Sequence, residues 1–154
     1  MMEWGKKMKA NELAGYMIQL EDNARILYLR FSEVCNPGLK DTMISLSKEE
    51  GRHQEMIADI FRVIKDDVNV DRIEIANLIE KQQQFFNKME ENISEVGDKD
   101  FFIFALGIEK DSINIYSKIL EKVKSNYEQY LIFENLIEEE RKHTLFILDR
   151  LYER

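Results

Sequence analysis

Apolar residues recur at helical spacing along almost the whole of this 154-residue chain. Positions three and four apart lie on one face of an α-helix, so a repeating apolar stripe marks the side that is buried. The stripes predict four long helices and a further helical stretch between the second and the third. The predicted bounds are Lys9 to Val34, Leu39 to Lys65, Arg72 to about Ile93, Lys99 to Lys124, and Tyr127 to Tyr152.

Short breaks between the stripes indicate how the helices connect. Asn36-Pro37-Gly38 ends the first helix, and so short a connection makes the second helix run back antiparallel. A polar break at residues 66–71 follows, in which Asp71 is a candidate N-cap for the middle helix. We therefore predict an all-α four-helix bundle with a long helical crossover, and treat residues 1–154 as a single domain.

Six polar residues interrupt the apolar stripes at positions where the helical period calls for a core residue. They are Glu21 in the first long helix, Glu50 and His53 in the second, Glu109 in the third, and Glu140 and His143 in the fourth. The two histidines are the only ones in the chain, and each belongs to a Glu-x-x-His motif. Glutamate and histidine three residues apart point the same way on a helix.

The two halves of the chain repeat this pattern in register. Tyr28 follows Glu21 by seven residues, and Tyr116 follows Glu109 by seven. Each motif glutamate is preceded directly by a second acid, in Glu49-Glu50 and Glu139-Glu140. Two hairpins of one design, joined by a long crossover, would bring their four polar stretches together in the middle of the bundle.

Four carboxylates in a bundle core would repel one another, and burying them is costly unless they take up protons or a cation. Two divalent ions offset four negative charges, and mixed oxygen and nitrogen ligands suit iron or manganese. We predict Glu21 and Glu109 as terminal ligands, Glu50 and Glu140 as bridging ligands, and one nitrogen per metal from His53 and His143. Bridging carboxylates would hold the ions about 3.5–4 Å apart.

Four residues near the predicted ligands are given other roles. Tyr28 and Tyr116 are candidates to hydrogen-bond the ligand carboxylates, or are core aromatics. Glu49 and Glu139 are adjacent to the bridging glutamates, so they are predicted to face elsewhere as surface acids. The alternative for the whole set is that these charges lie on the solvated face of an acidic helical protein.

Composition excludes some functions. The net charge is −8 and no basic block occurs, so neither nucleic acid nor a membrane is expected as a partner. Cys35 is the only cysteine, which excludes an internal disulfide and a four-cysteine iron site and fits a reducing cytoplasm. Polar residues interrupt the N-terminal apolar positions, so no signal peptide or membrane span is expected.

The order Glu21, Glu50-x-x-His53, Glu109, Glu140-x-x-His143 resembles the ferritin-like superfamily, and within it the rubrerythrin-like di-iron carboxylate proteins. The resemblance covers about residues 9 to 153. It implies two bound iron ions, with manganese as the alternative metal, that reduce hydrogen peroxide or dioxygen. It also implies a homodimer. Electrons would come from an external donor such as rubredoxin, because this sequence has no cysteine-rich rubredoxin domain.

The sequence departs from its relatives at three places. Rubrerythrins usually carry a second acid three residues after the third-helix glutamate, where this chain has Ser112. Gly51 occupies the position of the haem-binding methionine of bacterioferritin, so no haem is expected, and the chain ends eleven residues after His143 without a short fifth helix. The alternatives are a ferroxidase or iron-handling protein, or a structural helical module with a vestigial metal site.

Overall fold

The computed structural model describes residues 7–64, 68–123, 125 and 127–152. Five α-helices and one pair of very short strands make up the regular structure of these residues. In chain order they are β1 (Lys7–Met8), α1 (Ala10–Ser32), α2 (Lys40–Val63), β2 (Val68–Asn69), α3 (Arg72–Glu91), α4 (Asp98–Val123) and α5 (Tyr127–Leu151). Single turns of 3₁₀-helix at Pro37–Leu39 and Ile93–Glu95 precede α2 and α4.

The predicted helices are all present, and their ends lie within two residues of the predicted bounds. Two of the predicted last residues, Lys65 and Lys124, lie outside the described residues. Asp71 caps α3 as predicted, because its side chain accepts hydrogen bonds from the backbone N–H groups of Ile73 and Glu74 at 3.0 and 3.2 Å. The all-α bundle with a helical crossover is therefore confirmed.

The prediction of a polar break at residues 66–71, before α3, is wrong in part. Val68 and Val70 are buried, and β2 pairs antiparallel with β1, so that Met8 lies opposite Val68. Asp66 and Asp67, which suggested the break, lie outside the described residues. A strand of two residues is too short to show a period in the sequence, which is why the pattern did not predict it.

The helices form two hairpins with a crossover between them. Helix α1 packs along α2, and α4 packs along α5. The hairpins meet through contacts of α1 with α4 and of α2 with α5, while the crossover helix α3 lies mainly against α1. This arrangement brings the faces that carry the polar interruptions together. No helix among the described residues is both long enough and apolar enough to cross a membrane.

Two separate apolar cores fill the bundle. The first contains Leu13, Met17 and Leu20 of α1, with Ile57 and Ile60 of α2, Ile115 and Ile119 of α4, and Phe133 and Leu136 of α5. The second contains Ala24, Leu27 and Phe31 of α1, with Met43 and Leu46 of α2, Phe101 and Ala105 of α4, and Ile147 of α5. Along every bundle helix the polar interruptions fall between these two sets. Each buried aliphatic side chain stabilises the fold by about 1.5–3 kcal/mol, so the two cores offset the cost of the polar layer between them.

Candidate metal centre

The polar layer brings all six predicted ligands together. His53 Nδ1 lies 2.7 Å from Glu140 Oε1, 3.4 Å from Glu21 Oε2 and 3.5 Å from Glu50 Oε2. His143 Nδ1 lies 2.9 Å from Glu50 Oε1 and 3.7 Å from Glu109 Oε1. Each histidine therefore directs the same ring nitrogen towards carboxylates of both hairpins.

These contacts define two overlapping sets of donor atoms. One set comprises Glu21, Glu50, His53 and Glu140, and the other comprises Glu50, Glu109, Glu140 and His143. Within each set the donor atoms lie within 4.8 Å of one another. Glu50 and Glu140 belong to both, which is the arrangement expected of bridging ligands, while each remaining carboxylate is grouped with one histidine. The roles of the six residues as metal ligands remain a prediction.

The cluster is buried and its donors are unsatisfied. Five of the six residues are at most 1% exposed, and His143 is 8% exposed. Six buried atoms of the cluster make no hydrogen bond among the described residues: both carboxylate oxygens of Glu50, Oε2 of Glu109, Oε1 of Glu140, and Nδ1 of His53 and of His143. The two Nδ1 atoms have only the ion-pair contacts with Glu140 and Glu50 given above. Buried polar atoms normally have partners, because leaving one unpaired costs free energy. Atoms of this type, converging from four helices, fit divalent cations with mixed oxygen and nitrogen preference.

Burial and neighbouring charges make the shared glutamates harder to ionise when no metal is bound. Burial raises the pKa of Glu50 well above its ordinary value, and the charges of Glu109 and Glu21 raise it further. Burial likewise raises the pKa of Glu140, and the charges of Glu109, Glu21 and Glu50 act in the same direction. A cation that binds between these carboxylates must therefore displace protons.

The terminal glutamates and His53 are shifted towards their charged forms. Burial raises the pKa of Glu109, but its neighbours Glu140, His143 and Tyr28 lower it to a net value of about 2. The pKa of Glu21 is also lowered overall, because Glu50, His53 and Tyr116 outweigh the effect of burial. Burial lowers the pKa of His53, but the carboxylates of Glu140 and Glu21 raise it to about 11. The metal-free cluster is thus a network of charged and protonated groups that compensate one another.

Two buried tyrosines tie the hairpins together at the cluster. The hydroxyl of Tyr28 on α1 donates a hydrogen bond to Glu109 Oε1 on α4 at 2.7 Å. The hydroxyl of Tyr116 on α4 donates to Glu21 Oε1 on α1 at 2.5 Å. Each tyrosine therefore reaches the glutamate of the opposite hairpin. Burial, followed by the charge of the bonded carboxylate, raises the pKa of both hydroxyls, so both remain protonated donors.

The prediction that Glu139 is a surface acid is wrong. Its side chain is only 24% exposed, and its Oε2 atom lies 2.6 Å from His53 Nε2 and 2.6 Å from the Arg52 guanidinium. Burial raises the pKa of Glu139, but Arg52 and His53 lower it to a value below the ordinary one. Glu139 directly precedes a ligand position and so points away from the cluster, but the face it occupies is covered by α2. Glu49, for which the same prediction was made, is 45% exposed and binds Arg52 at 2.6 Å.

A surface pocket of about 600 Å³ leads to one side of the cluster. It lies between α2 and α5, and its walls include Glu49, Arg52, Glu139, Lys142 and His143. His53 is not part of this wall and is completely buried. The pocket therefore gives solvent access to the His143 side of the cluster.

Ser112 lies one helical turn after Glu109 and is 2% exposed. It occupies the position where the rubrerythrin resemblance expects a seventh acid. The two inner groups of donor atoms contain no further carboxylate among the described residues. A third group joins Glu49 to the two histidines at the outer side of the cluster.

Comparison with known proteins identifies the fold. Neither a protein-family model nor a curated protein matches the sequence. A solved structure does: the crystal structure of a Thermotoga maritima protein assigned as ferritin-like and diiron-carboxylate superposes with a TM-score of 0.71. The match covers 96% of this chain and 97% of that chain at 19% sequence identity. At this identity the likeness establishes a shared ferritin-like helical bundle and nothing finer.

Proposed function

We propose that this ferritin-like bundle binds two iron ions and uses them to reduce hydrogen peroxide or dioxygen. The observation that carries the proposal is the pair of overlapping donor sets, which share Glu50 and Glu140 and contain six buried atoms that make no hydrogen bond among the described residues. Manganese is the alternative metal, because it accepts the same oxygen and nitrogen ligands. The Thermotoga maritima neighbour, assigned as a diiron-carboxylate protein, supports the choice of iron.

A bound pair of ferrous ions would supply the two electrons that convert one hydrogen peroxide and two protons into two molecules of water, and an external donor such as rubredoxin would return the two electrons to the ferric ions. The residues of the chain would bind the two ions and keep the ligand carboxylates in place. Glu21 with His53, and Glu109 with His143, would each hold one ion, while Glu50 and Glu140 would contact both. Tyr28 and Tyr116 would fix the terminal carboxylates through their hydrogen bonds.

The two apolar cores on either side of the layer shield the cluster from water except at the pocket beside His143. Exclusion of water strengthens electrostatic interactions inside the site and prevents side reactions. The pocket beside His143 is the route that we propose for a small oxidant. A homodimer and a cytoplasmic location remain predictions, as does the external electron donor.

The experiment begins with anaerobic reconstitution of the metal-free protein with Fe²⁺. Hydrogen peroxide is then added while the near-ultraviolet absorption of ferric iron is recorded. We expect one peroxide to be consumed for every two ferrous ions, and reduced rubredoxin to support repeated turnover. Glu50→Ala protein treated in the same way is the control.

The iron-handling hypothesis predicts a different result. A ferroxidase would oxidise iron and then accumulate more than two ions per chain, without repeated turnover from a donor. Oxidation no faster than that of free Fe²⁺ would contradict both hypotheses and favour a structural helical module.

A further inference from the structure

The two histidines of the cluster differ at the ring nitrogen that faces away from it. His53 Nε2 lies 2.6 Å from Glu139 Oε2, and the side chain of His53 is 0% exposed. None of the hydrogen bonds among the described residues reaches His143 Nε2, and the side chain of His143 is 10% exposed in the wall of the pocket. The two histidines occupy equivalent positions in the sequence repeat, but their surroundings in the structure differ.

Arg52 contacts the corresponding acids of both hairpins. Glu49 is the counterpart of Glu139 in the other hairpin, and it belongs to a donor group with both histidines in which all donor atoms lie within 4.8 Å. Its carboxylate is nevertheless held by Arg52 at 2.6 Å. The same guanidinium holds Glu139 at 2.6 Å, but in a position that also reaches His53. Arg52 thus contacts both acids, and of the two only Glu139 also forms a hydrogen bond to a histidine among the described residues.

The bond to Glu139 has a consequence for metal binding. A carboxylate that accepts the Nε2–H of His53 fixes the ring orientation and leaves Nδ1 as the nitrogen that faces Glu21, Glu50 and Glu140. It also makes the ring a stronger donor to a metal. Loss of such a partner typically costs 10–100-fold in metal affinity.

We propose that the two metal positions are unequal, with a tight position at Glu21 and His53 and an exchangeable one at Glu109 and His143. Glu139 is the positioning residue that makes the first position tight. The pocket beside His143 is the path by which the second ion enters and leaves. The proposal rests on the proposed function to the extent that the cluster binds two ions.

Variants that keep only one of the two metal positions test the difference in affinity, because repulsion between two bound ions is then absent. In the full-length chain, His143→Ala keeps the Glu21 and His53 position, and His53→Ala keeps the Glu109 and His143 position. Each metal-free variant is titrated with Mn²⁺, and the free ion is counted by its electron paramagnetic resonance signal. We expect the His143→Ala protein to bind one ion about 10–100-fold more tightly than the His53→Ala protein.

Glu139 and Glu49 are then compared in the His143→Ala background. Glu139→Ala should weaken Mn²⁺ binding by about 10–100-fold, whereas Glu49→Ala, which removes no hydrogen bond to His53, should have a smaller effect. Glu139→Gln keeps an accepting oxygen and should recover part of the loss, which a purely structural effect would not predict. Circular dichroism establishes that each variant is folded.

The original chain provides a test that depends on no substitution. Excess chelator added to the protein loaded with two Mn²⁺ ions should release them in two phases of equal amplitude. Equal affinities in the two single-position variants, or equal effects of Glu139→Ala and Glu49→Ala, would overturn the inequality while leaving a dinuclear site intact. Failure of the unsubstituted protein to bind any Mn²⁺ would instead overturn this proposal and the proposed function together.

Discussion

In the hairpin of α1 and α2 the cluster histidine, His53, is completely buried and contacts carboxylates at both ring nitrogens. In the hairpin of α4 and α5 its counterpart, His143, meets a pocket. The glutamates and the tyrosine bonds of the two halves nevertheless correspond closely. A repeated sequence can thus specify two matching sets of donors while the residues beside them make the sets different.

The shared carboxylates should show the largest effect, because Glu50 and Glu140 belong to both halves. Replacing either with alanine removes an oxygen donor from each set and leaves the remaining charges poorly arranged for two ions. We expect Glu50→Ala and Glu140→Ala to lose dinuclear binding, so that iron content falls from two ions per chain to one or none. Elemental analysis after anaerobic reconstitution measures this. An unchanged content in either variant would refute the bridging role.

Removing the metal should destabilise the fold more at higher pH. The pKa values of Glu50 and Glu140 are raised by burial and by neighbouring carboxylates. Such acids stabilise the metal-free fold below their ordinary pKa of 4.5, and this contribution is lost as the pH rises through the folded-state pKa. The pKa of His53 is raised from 6.5 to about 11. Its contribution to the stability of the metal-free fold is therefore also lost as the pH rises, between these two values.

The metal-bound protein does not depend on these protons, because its ligands are already deprotonated. We therefore expect the increase in Tm on adding Mn²⁺ to grow between about pH 5 and about pH 8. Free metal at a hundred times its Kd should stabilise the fold by about 2.7 kcal/mol. Thermal unfolding at several pH values measures the trend, and an increase in Tm that shrinks with rising pH would argue against proton displacement from the shared glutamates.

The two tyrosine bonds should be equivalent, in contrast to the two histidines. Tyr28→Phe and Tyr116→Phe each leave a buried carboxylate oxygen without its donor, which costs about 1–3 kcal/mol. We expect similar losses in the free energy of unfolding of the metal-free protein, measured with urea. Tyr127→Phe is a suitable control, since Tyr127 is 73% exposed. A large loss in only one of the two variants would mean that the hairpins differ in their terminal carboxylates as well.

The paired acids beside the cluster should differ in their effects on stability, and Glu49 should give the smallest effect of all. Glu139→Ala leaves His53 Nε2 buried without an acceptor, which should cost about 1–3 kcal/mol in the metal-free protein. Glu49→Ala removes only an exposed ion pair with Arg52, worth about 0–1 kcal/mol. Urea unfolding of the two variants side by side measures the contrast. Equal losses in the free energy of unfolding would mean that the hydrogen bond between Glu139 and His53 stabilises the fold no more than the exposed ion pair of Glu49 does.

The fold and the six cluster residues could be predicted because both leave a periodic signal. Each helix shows its buried face as an apolar stripe, and Glu21 or His53 stands out because a polar residue on that stripe is unusual. Glu139 could not be placed in the same way. A residue next to a ligand is turned by about 100° around its helix, and whether solvent or another helix covers it depends on tertiary packing. The crossed tyrosine bonds depend on the same inter-helix geometry.

The most direct test of the dinuclear site is a crystal structure of the protein reconstituted with iron or manganese, with anomalous diffraction data collected at the metal edge. We expect two anomalous peaks per chain, one between Glu21 and His53 and the other between Glu109 and His143. Glu50 and Glu140 should contact both ions. A loaded crystal with no peak inside the bundle, or with metal bound only at surface acids, would contradict it.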